Sequence, residues 1–350
     1  MAGHPAPGAR PVLRAPPPRI TNLTLLAALV VAFASGVGAV ATGTASGRWV
    51  AVAHGIVGVA VVLLVPWKSM IVRRGLRRAR RSRWVSLLLA ALAVAALLTG
   101  FGSASGLLRS VGDFRGIWLH VAAALALVPL VVWHVFARPA HASRMDLSRR
   151  TLLRAGTLAA AAAGVYAATT AFVRAAGLPG ADRRFTGSYE TGSFDPAAMP
   201  TTSWIDDVPP EVDPATWRLV VADAVGEREL TLDELARYDA RLRATLDCTS
   251  GWYAQQDWEG VPLAALVRGT GEARSLHVHS TTGYWIKFPI GDLDRLLLAT
   301  RVGGAALSVA HGFPVRLVAP GRRGFWWVKW VDRIELRSTP WWWQPPFPVT

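Results

Sequence analysis

His311-Gly312-Phe313-Pro314-Val315-Arg316-Leu317-Val318-Ala319-Pro320 is the stretch on which the fold turns. Within it, Arg316–Ala319 reads as a short strand set between Gly- and Pro-rich punctuation. Downstream, Trp327–Leu336 reads as a further strand that closes the domain. Upstream, Trp217–Val225 alternates as a strand, and Arg241–Cys248, Ser275–Thr281 and Tyr284–Phe288 are strand-like. Thr231–Tyr238 is a short helix opened by a capping box, Thr231 with Glu234 three residues on. Val261–Arg268 reads as helical, and the Gly-, Pro-, Asp- and Thr-rich residues 178–216 as an extended approach. The pattern predicts an α+β domain with mainly antiparallel or mixed sheet. It contains neither a Gly-rich dinucleotide fingerprint nor a phosphate-binding P-loop.

Charge separates this domain from what precedes it. The 350 residues carry 38 Lys and Arg against 23 Asp and Glu, a net charge of +15. Residues 1–184 hold 22 of the bases and three acids (Asp113, Asp146, Asp182), while residues 185–350 are mildly acidic. The basicity thus lies entirely in the apolar half. A nucleic-acid partner would need it on a folded polar domain, and is excluded. The one cysteine, Cys248, excludes an intrachain disulfide framework, a Cys-based zinc site, a four-Cys iron–sulfur cluster and covalent CxxCH haem.

Leu23–Ala41, Val50–Trp67, Trp84–Phe101 and Ile117–Ala137 approach or reach the roughly 20 apolar residues that cross a bilayer. A fifth, Ala-rich run covers Leu158–Val173. Arg residues cluster in the N-terminal tail and in the links after the second and fourth runs, and are sparse in the links between. This alternation predicts a cytoplasmic N-terminus and five crossings in the cytoplasmic membrane, with a C-terminal domain on the periplasmic or extracellular face. Ser148-Arg149-Arg150-Thr151-Leu152-Leu153-Arg154, before the fifth run, resembles the twin-arginine signal that exports folded proteins; flanking positive-inside charge is the simpler alternative.

Ionisable groups at membrane depth default to functional readings. His54 and His120 lie near the outer ends of the second and fourth runs, a depth that suits two imidazoles gripping one haem iron. His134 follows His120 by 14 residues, about 21 Å along a helix and nearly on the same face. The pattern resembles the four-helix, two-haem cytochrome b bundle over residues 20–140. It departs from it at Lys68, which stands where a fourth His is expected. The resemblance implies one b-type haem on His54 and His120. His134 is left either as a ligand of a second haem or as a quinone-site or proton-relay residue.

Cys248 ends a strand and enters the small-residue turn Thr249-Ser250-Gly251. Taken alone it fits a buried hydrophobe, an intermolecular disulfide or a metal ligand, and His277, His279 or His311 are the imidazoles that the fold can bring to it. The surrounding sequence decides between these. Trp217-Arg218-Leu219-Val220-Val221, Leu230–Leu235, Cys248, Trp258-Glu259-Gly260-Val261-Pro262-Leu263, the stretch quoted at the outset, Gly324 and Val328-Lys329-Trp330 resemble, in order and spacing, the sulfite oxidase-type molybdopterin domain. The resemblance implies that Cys248 binds molybdenum. It also implies that His311, Arg316 and Lys329, with backbone near Trp327 and Val328, hold the pterin and its phosphate, with Thr282 and the segment Thr201 to Trp204 as further contacts. A dianionic phosphate suits an Arg fork and a Lys point charge.

The arginine cluster of sulfite-binding enzymes has no counterpart beside Cys248, and the dimerisation domain of those enzymes is not found before Thr350. Both departures favour the smaller sulfoxide-reductase branch, and the aromatic surround (Trp252, Tyr253, Tyr284, Trp285, Trp326, Trp327) suits a soft substrate. The expected organisation is a cytoplasmic tail (residues 1–20), a cytochrome b-like bundle (21–140), a twin-arginine segment with a fifth helix (141–177), a linker (178–200), the molybdopterin domain (201–340) and a Trp/Pro-rich tail (341–350). The expected activity is oxygen-atom transfer to or from a small S- or N-oxide, with electrons exchanged with membrane quinone through haem and Tyr253 or Tyr284 as proton donor. A sulfite dehydrogenase with the same electron path and a non-enzymatic membrane protein with a degenerate molybdopterin fold are the alternatives.

Overall fold

A computed structural model of the chain describes residues 17–76, 83–112, 114–138, 146, 148–203 and 208–345. They divide into two compact bodies. The first takes its described residues from 1–34, 53–101 and 119–176 and is helical. Its helices are α1 (Pro18–Ala41), α2 (Arg48–Leu76), α3 (Arg83–Ser105), α4 (Gly116–Ala137) and α5 (Arg149–Ala175). All five are long and apolar enough to cross a membrane by length and composition. Helix α5 begins nine residues before the Ala-rich run, because the Ser148 side chain caps it by accepting from the Thr151 amide. The Arg149-Arg150 pair therefore lies in the first turn of a helix.

The second body comprises residues 35–52, 102–118 and 177 onward. A small hairpin, β1 (Ser110–Val111) with β2 (Phe114–Arg115), lies in the α3–α4 connection. The domain proper contains β3 (Tyr189–Glu190), β4 (Arg218–Ala222), β5 (Glu227–Thr231), α6 (Leu232–Ala236), β6 (Ala240–Asp247), β7 (Trp252–Pro262) and α7 (Leu263–Leu266). It continues with β8 (Ser275–Ser280), β9 (Trp285–Pro289), β10 (Leu297–Val302), β11 (Ala305–Ala306), β12 (Arg316–Val318) and β13 (Val331–Arg337). One sheet runs β11-β10-β7-β3, with β12 also on β10 and β6 also on β7. The other runs β5-β4-β13-β8-β9. The β4–β13 and β3–β7 pairs are parallel and the remaining pairs antiparallel, the mixed arrangement that the sequence predicts. Trp258, Leu298, Leu317, Leu219, Leu276 and Ile334 fill the core.

The predicted capping box forms: the Thr231 hydroxyl accepts from the Glu234 amide, and Glu234 accepts in return from the Thr231 amide at 2.8 Å. Besides two-residue strands, three strands of five residues or more escape the sequence reading. Strand β7 alternates as it should, with Trp252, Ala254, Gln256 and Trp258 inward. However, polar Gln256 sits on the buried face and Tyr253 on the other, which hides the period. Strand β10 is buried on both faces and shows no alternation. Strand β5 is short, and its Glu227 and Glu229 face water. Two predicted elements shift. The helix expected over Val261–Arg268 shrinks to α7, because Val261 and Pro262 continue β7 opposite Leu298 and Leu297. The closing strand begins at Val331 rather than Trp327, because Trp330 adopts a left-handed φ of 50° and sends its indole N–H to the Val309 carbonyl at 2.7 Å.

The expected linker is also more than a linker. Ser188 and Met199 are buried, and Tyr189 and Glu190 pair with the start of β7. In thermal unfolding of the intact chain, Leu298→Ala should remove about 2–5 kcal/mol from the C-terminal domain. Thr231→Ala, which loses only the cap, should remove about 1 kcal/mol.

Candidate cofactor site

Cys248 stands where β6 ends. The chain reverses through Thr249–Gly251, with Gly251 at φ +90°, and the Cys248 amide donates to the Trp252 carbonyl at 2.9 Å as β7 begins. The thiol is half-buried and lines an open cavity of about 320 Å³. Ser250 Oγ lies 3.1 Å from Sγ, placed to donate to a thiolate. Gly324 packs on the Cys248 backbone so closely that a Cβ there would lie 3.0 Å from Cys248 Cα, so a side chain at 324 would push the cysteine out of place.

Beneath the cysteine lies a buried ion-pair network. Asp247 pairs with Arg323 and with Arg184 at 3.1 Å, and accepts from the hydroxyls of Thr186 at 2.9 Å and Ser188 at 2.7 Å. Arg323 also donates to the Cys248 carbonyl at 3.2 Å. Burial pushes the Arg323 pKa down, against the pull of Asp247 and of the Cys248 thiolate. The network locks the backbone that carries the thiol.

On another wall of the cavity stands Arg316, the first residue of β12. Its guanidinium is fully buried beside the indoles of Trp258 and Trp327, 5.2 and 5.9 Å from their ring centres. It donates to the His311 carbonyl at 3.0 Å and reaches toward the Trp327 carbonyl at 3.5 Å. Its Nε has no hydrogen-bond partner, and among the described residues no carboxylate pairs with it. Burial pushes its pKa down to about 10, opposed by the Cys248 thiolate. Lys329 shares the cavity and donates to the Ala310 carbonyl at 2.9 Å. Gly312, at φ +109°, lets the 308–312 turn close over both cations; a Cβ there would meet Arg316 Cβ at 2.9 Å. A buried cation with an orphaned N–H and no carboxylate is a site that wants an anion. The thiolate-bearing cavity and this cation together fit the thiol-ligated metal and phosphate of a molybdopterin.

Of the residues singled out from the sequence, Thr201, Cys248, His311, Arg316, Trp327 and Lys329 line the cavity together. His311 lines it without offering a ring nitrogen. Nε2 lies 3.1 Å from the Met199 carbonyl and Nδ1 2.8 Å from the Ser308 hydroxyl. Burial lowers its pKa, so the ring is neutral and ties residues 199–201 to the turn. Val328 is buried and its carbonyl accepts from Leu317 at 2.7 Å, outside the lining. Thr282 bonds to Ser280 at 3.0 Å and is also outside it. Neither tyrosine proposed as a proton donor lines the cavity. The Tyr284 hydroxyl is buried against the Phe325 carbonyl, and the Tyr253 ring lies under Arg184, 5.1 Å from its centre. Trp204 lies outside the described residues. Thr202, inside the expected Thr201 to Trp204 segment, also lines the cavity, whereas sequence reasoning missed Ser250, Arg323 and Asp247. The signal for two of them was present, in the Arg322-Arg323-Gly324 run and in the acid adjoining the cysteine.

In the helical body, the rings of His54 and His120 lie edge to face, 5.9 Å between centres. His54 Nδ1 lies 2.9 Å from the Ala32 carbonyl and His120 Nδ1 2.8 Å from the Ala96 carbonyl. A carbonyl only accepts, so each Nδ1 carries the proton and each Nε2 the lone pair. That is the tautomer of an Nε2 metal ligand oriented by its other nitrogen, and the donor set fits a haem iron held by two imidazoles. His134 has a buried Nδ1 without a hydrogen-bond partner. Lys68 Nζ donates to Asn22 Oδ1 at 3.0 Å, so the residue standing in the fourth histidine position is engaged by a polar neighbour.

Residues 206–342 match the family model described as the oxidoreductase molybdopterin binding domain. The chain is 28% identical to mitochondrial sulfite oxidase of Rattus norvegicus over 166 residues, covering 37% of this chain and 30% of the rat protein. It is 29% identical to the uncharacterized oxidoreductase YuiH of Bacillus subtilis over 161 residues, covering 43% of this chain and 81% of that one. The sulfane dehydrogenase SoxCD structure from Paracoccus pantotrophus matches with 25% identity and a TM-score of 0.35, covering 37% of this chain and 40% of that chain. The chain thus spans under a third of the length of the mammalian sulfite oxidases it matches. Its C-terminal part is a molybdopterin-binding oxidoreductase domain of the sulfite oxidase type.

Removing the fork of Arg316 should cost about 1.5–3 kcal/mol of cofactor binding. Arg316→Met should accordingly purify with ten- to hundredfold less pterin, measured by fluorescence after acid release, while its circular dichroism stays native. Arg316→Lys, which keeps the charge but not the fork, should fall between.

Proposed function

We propose that the chain is a membrane-anchored molybdenum oxidoreductase that moves an oxygen atom to or from a small S- or N-oxide and exchanges electrons with the quinone pool through a b-type haem. The observation that carries the enzymatic part is the cavity itself, where the half-buried thiol of Cys248 faces the orphaned Arg316 guanidinium and Lys329. Molybdenum bound there supplies two-electron oxygen-atom transfer. The chain supplies the rest. Cys248 is the ligand, Ser250 donates toward its sulfur, and the Asp247–Arg323 pair fixes its backbone. Arg316 and Lys329 hold the phosphate, and His311 holds the 199–201 segment that forms one rim.

The choice of substrate class follows from where the cations are committed. An oxyanion such as sulfite needs an open cation beside the metal ligand. Arg323 donates to the Cys248 carbonyl, but its guanidinium is paired with Asp247, which also holds Arg184. The lining includes Leu246 and Trp252 on either side of the cysteine in sequence, and Thr202 accepts the Trp252 indole N–H at 3.3 Å. A neutral sulfoxide or N-oxide with an apolar substituent suits this wall better than a dianion.

Membrane anchoring rests on five apolar helices whose outward side chains include Val30, Leu98 and Phe136, the last 80% exposed. An odd number of crossings puts the α1–α2 and α3–α4 connections on the same side as everything after α5. Contacts within the C-terminal body support this arrangement. Thr42 bridges to Arg322, Arg183 donates to the Ala104 carbonyl at 2.8 Å, and Arg109 stacks on Tyr189 at 4.5 Å. Together with the Arg-rich opposite links, this supports a C-terminal domain on the periplasmic or extracellular face. The twin-arginine segment at the start of α5 fits export of a domain already folded around its cofactor. His54 and His120 are the haem ligands in this reading, and His134, with its orphaned Nδ1, faces the quinone step.

Reduced viologen with dimethyl sulfoxide should be turned over by the purified chain, and Cys248→Ser should lower that rate by at least about a hundredfold. Turnover of sulfite with ferricyanide and none of any S- or N-oxide would overturn the substrate assignment. Dithionite-reduced membranes should show b-type absorbance that is lost in both His54→Ala and His120→Ala. Its persistence in both variants would remove the haem from this position.

A further inference from the structure

The outer face of the five-stranded sheet carries a cluster that neither the cofactor cavity nor the helical histidines use. On β8, His277 and His279 are two apart and therefore share one face. On the neighbouring strand β13, Glu335 lies directly opposite His277. The ligand atoms of the three residues lie within 4.8 Å of one another. His279 Nε2 is 3.2 Å, and His277 Nδ1 3.9 Å, from the same carboxylate oxygen, Oε1.

Two details of bonding point to a cation at this spot. The first is how the carboxylate is divided. Arg337 at 2.8 Å and Arg333 at 3.3 Å both bind Oε2, which holds Glu335 ionised and leaves Oε1 to face the imidazoles. The second is the tautomer of His277. Ser275 Oγ lies 2.7 Å from the Thr339 carbonyl and so commits its hydrogen there. At the 3.1 Å contact with His277 Nε2 the hydroxyl therefore accepts, and Nε2 carries the ring proton. Nδ1 is left with its lone pair directed at a carboxylate oxygen. Two acceptors facing each other across 3.9 Å repel unless something positive lies between them.

We propose that His277, His279 and Glu335 bind one divalent transition-metal ion, zinc by the nature of the donors, at a site separate from the cysteine cavity. Two imidazoles and one carboxylate with a position left for water are a borderline-soft set that suits Zn²⁺. Tetrahedral zinc with bonds of about 2.0–2.1 Å separates its ligand atoms by about 3.4 Å. The His279–Glu335 distance already meets that value, and the half-exposed His279 ring has room to close the widest gap. On binding, His279 shifts its proton from Nε2 to Nδ1, so both imidazoles ligate as neutral rings and no proton is lost. Ser275 then orients His277 from behind, as an outer-shell partner does at a built metal site. The ion would clamp β8 to β13, the strand that also pairs with β4 and so joins the two halves of this sheet.

The test uses the full chain without a histidine tag, loaded with its molybdenum cofactor so that Cys248 is occupied, and cleared of loose metal by chelator. Titration with Co²⁺ should give tetrahedral ligand-field bands that saturate at one equivalent and bleach on adding one equivalent of Zn²⁺. His279→Ala should weaken Zn²⁺ binding by at least about tenfold in calorimetry while molybdenum content stays native. Glu335→Gln should weaken binding as well, and its circular dichroism reports whether the sheet still folds. Failure of the wild-type chain to take up one equivalent, or uptake that His279→Ala leaves unchanged, would overturn the assignment.

Discussion

A guanidinium buried beside two indoles, with no carboxylate among the described residues to meet it, is the constraint around which the C-terminal domain is arranged. Burying a lone cation costs several kcal/mol unless a counter-charge arrives. Arg316 is nevertheless the first residue of the apolar strand β12, whose partner β10 is buried on both faces. The domain offsets part of that cost with carbonyls, from His311 and Trp327, and with the faces of Trp258 and Trp327. What it leaves out is an acid. The acid is found instead one residue from the cysteine, where Asp247 holds Arg323 and Arg184. Two sets of cations thus have opposite fates in one domain. Arg323 and Arg184 are held by Asp247 and fix backbone position, while Arg316 is left to be neutralised by what binds.

This division explains what was legible in the sequence. The block from His311 to Trp330 could be read because its glycines, proline and cations stand at fixed offsets, and the conformation they impose is local. Gly312 is required where the turn meets Arg316 and Lys329, and Gly324 where the chain meets Cys248. The partners of these residues were not legible, because they come from elsewhere in the chain. Asp247 is 76 residues from Arg323, and Met199 is 112 from His311. Strand β7 was illegible for a different reason. It is the central strand of its sheet and buries Gln256 among tryptophans, with the amide N–H sent to the Gly192 carbonyl at 2.6 Å. A buried polar residue whose amide N–H reaches a distant carbonyl looks, in sequence, like a residue facing water.

The segments joining the helices show the same limit. Read as sequence, the α1–α2 and α3–α4 connections are short links whose sparse Arg content speaks only of orientation. In the fold they belong to the C-terminal body. Gly43 lies so close to residues 321–323 that a Cβ there would meet the Gly321 carbonyl oxygen at 2.8 Å. That turn leads directly to Gly324 and so to the backbone of Cys248. The chain has therefore built part of the support behind its cysteine from residues that precede that cysteine by about two hundred positions.

Histidine is where the difference between residue type and residue role is sharpest. His311 has the motif position of a cofactor contact, yet a carbonyl and a hydroxyl take both of its nitrogens. It can shape a cavity wall but has no lone pair to offer a metal. His54, His120 and His277 each have one nitrogen assigned a proton by an oxygen that can only accept, which makes the other nitrogen a base by default. The residue on the far side of the imidazole thus decides which rings can ligate and through which atom. In every case that residue lies on another element or across a turn: Ala32, Ala96, Thr339 acting through Ser275, Met199. Spacing along the chain brings the imidazoles to the right depth or face. The assignment of their protons, and with it their chemistry, belongs to the fold.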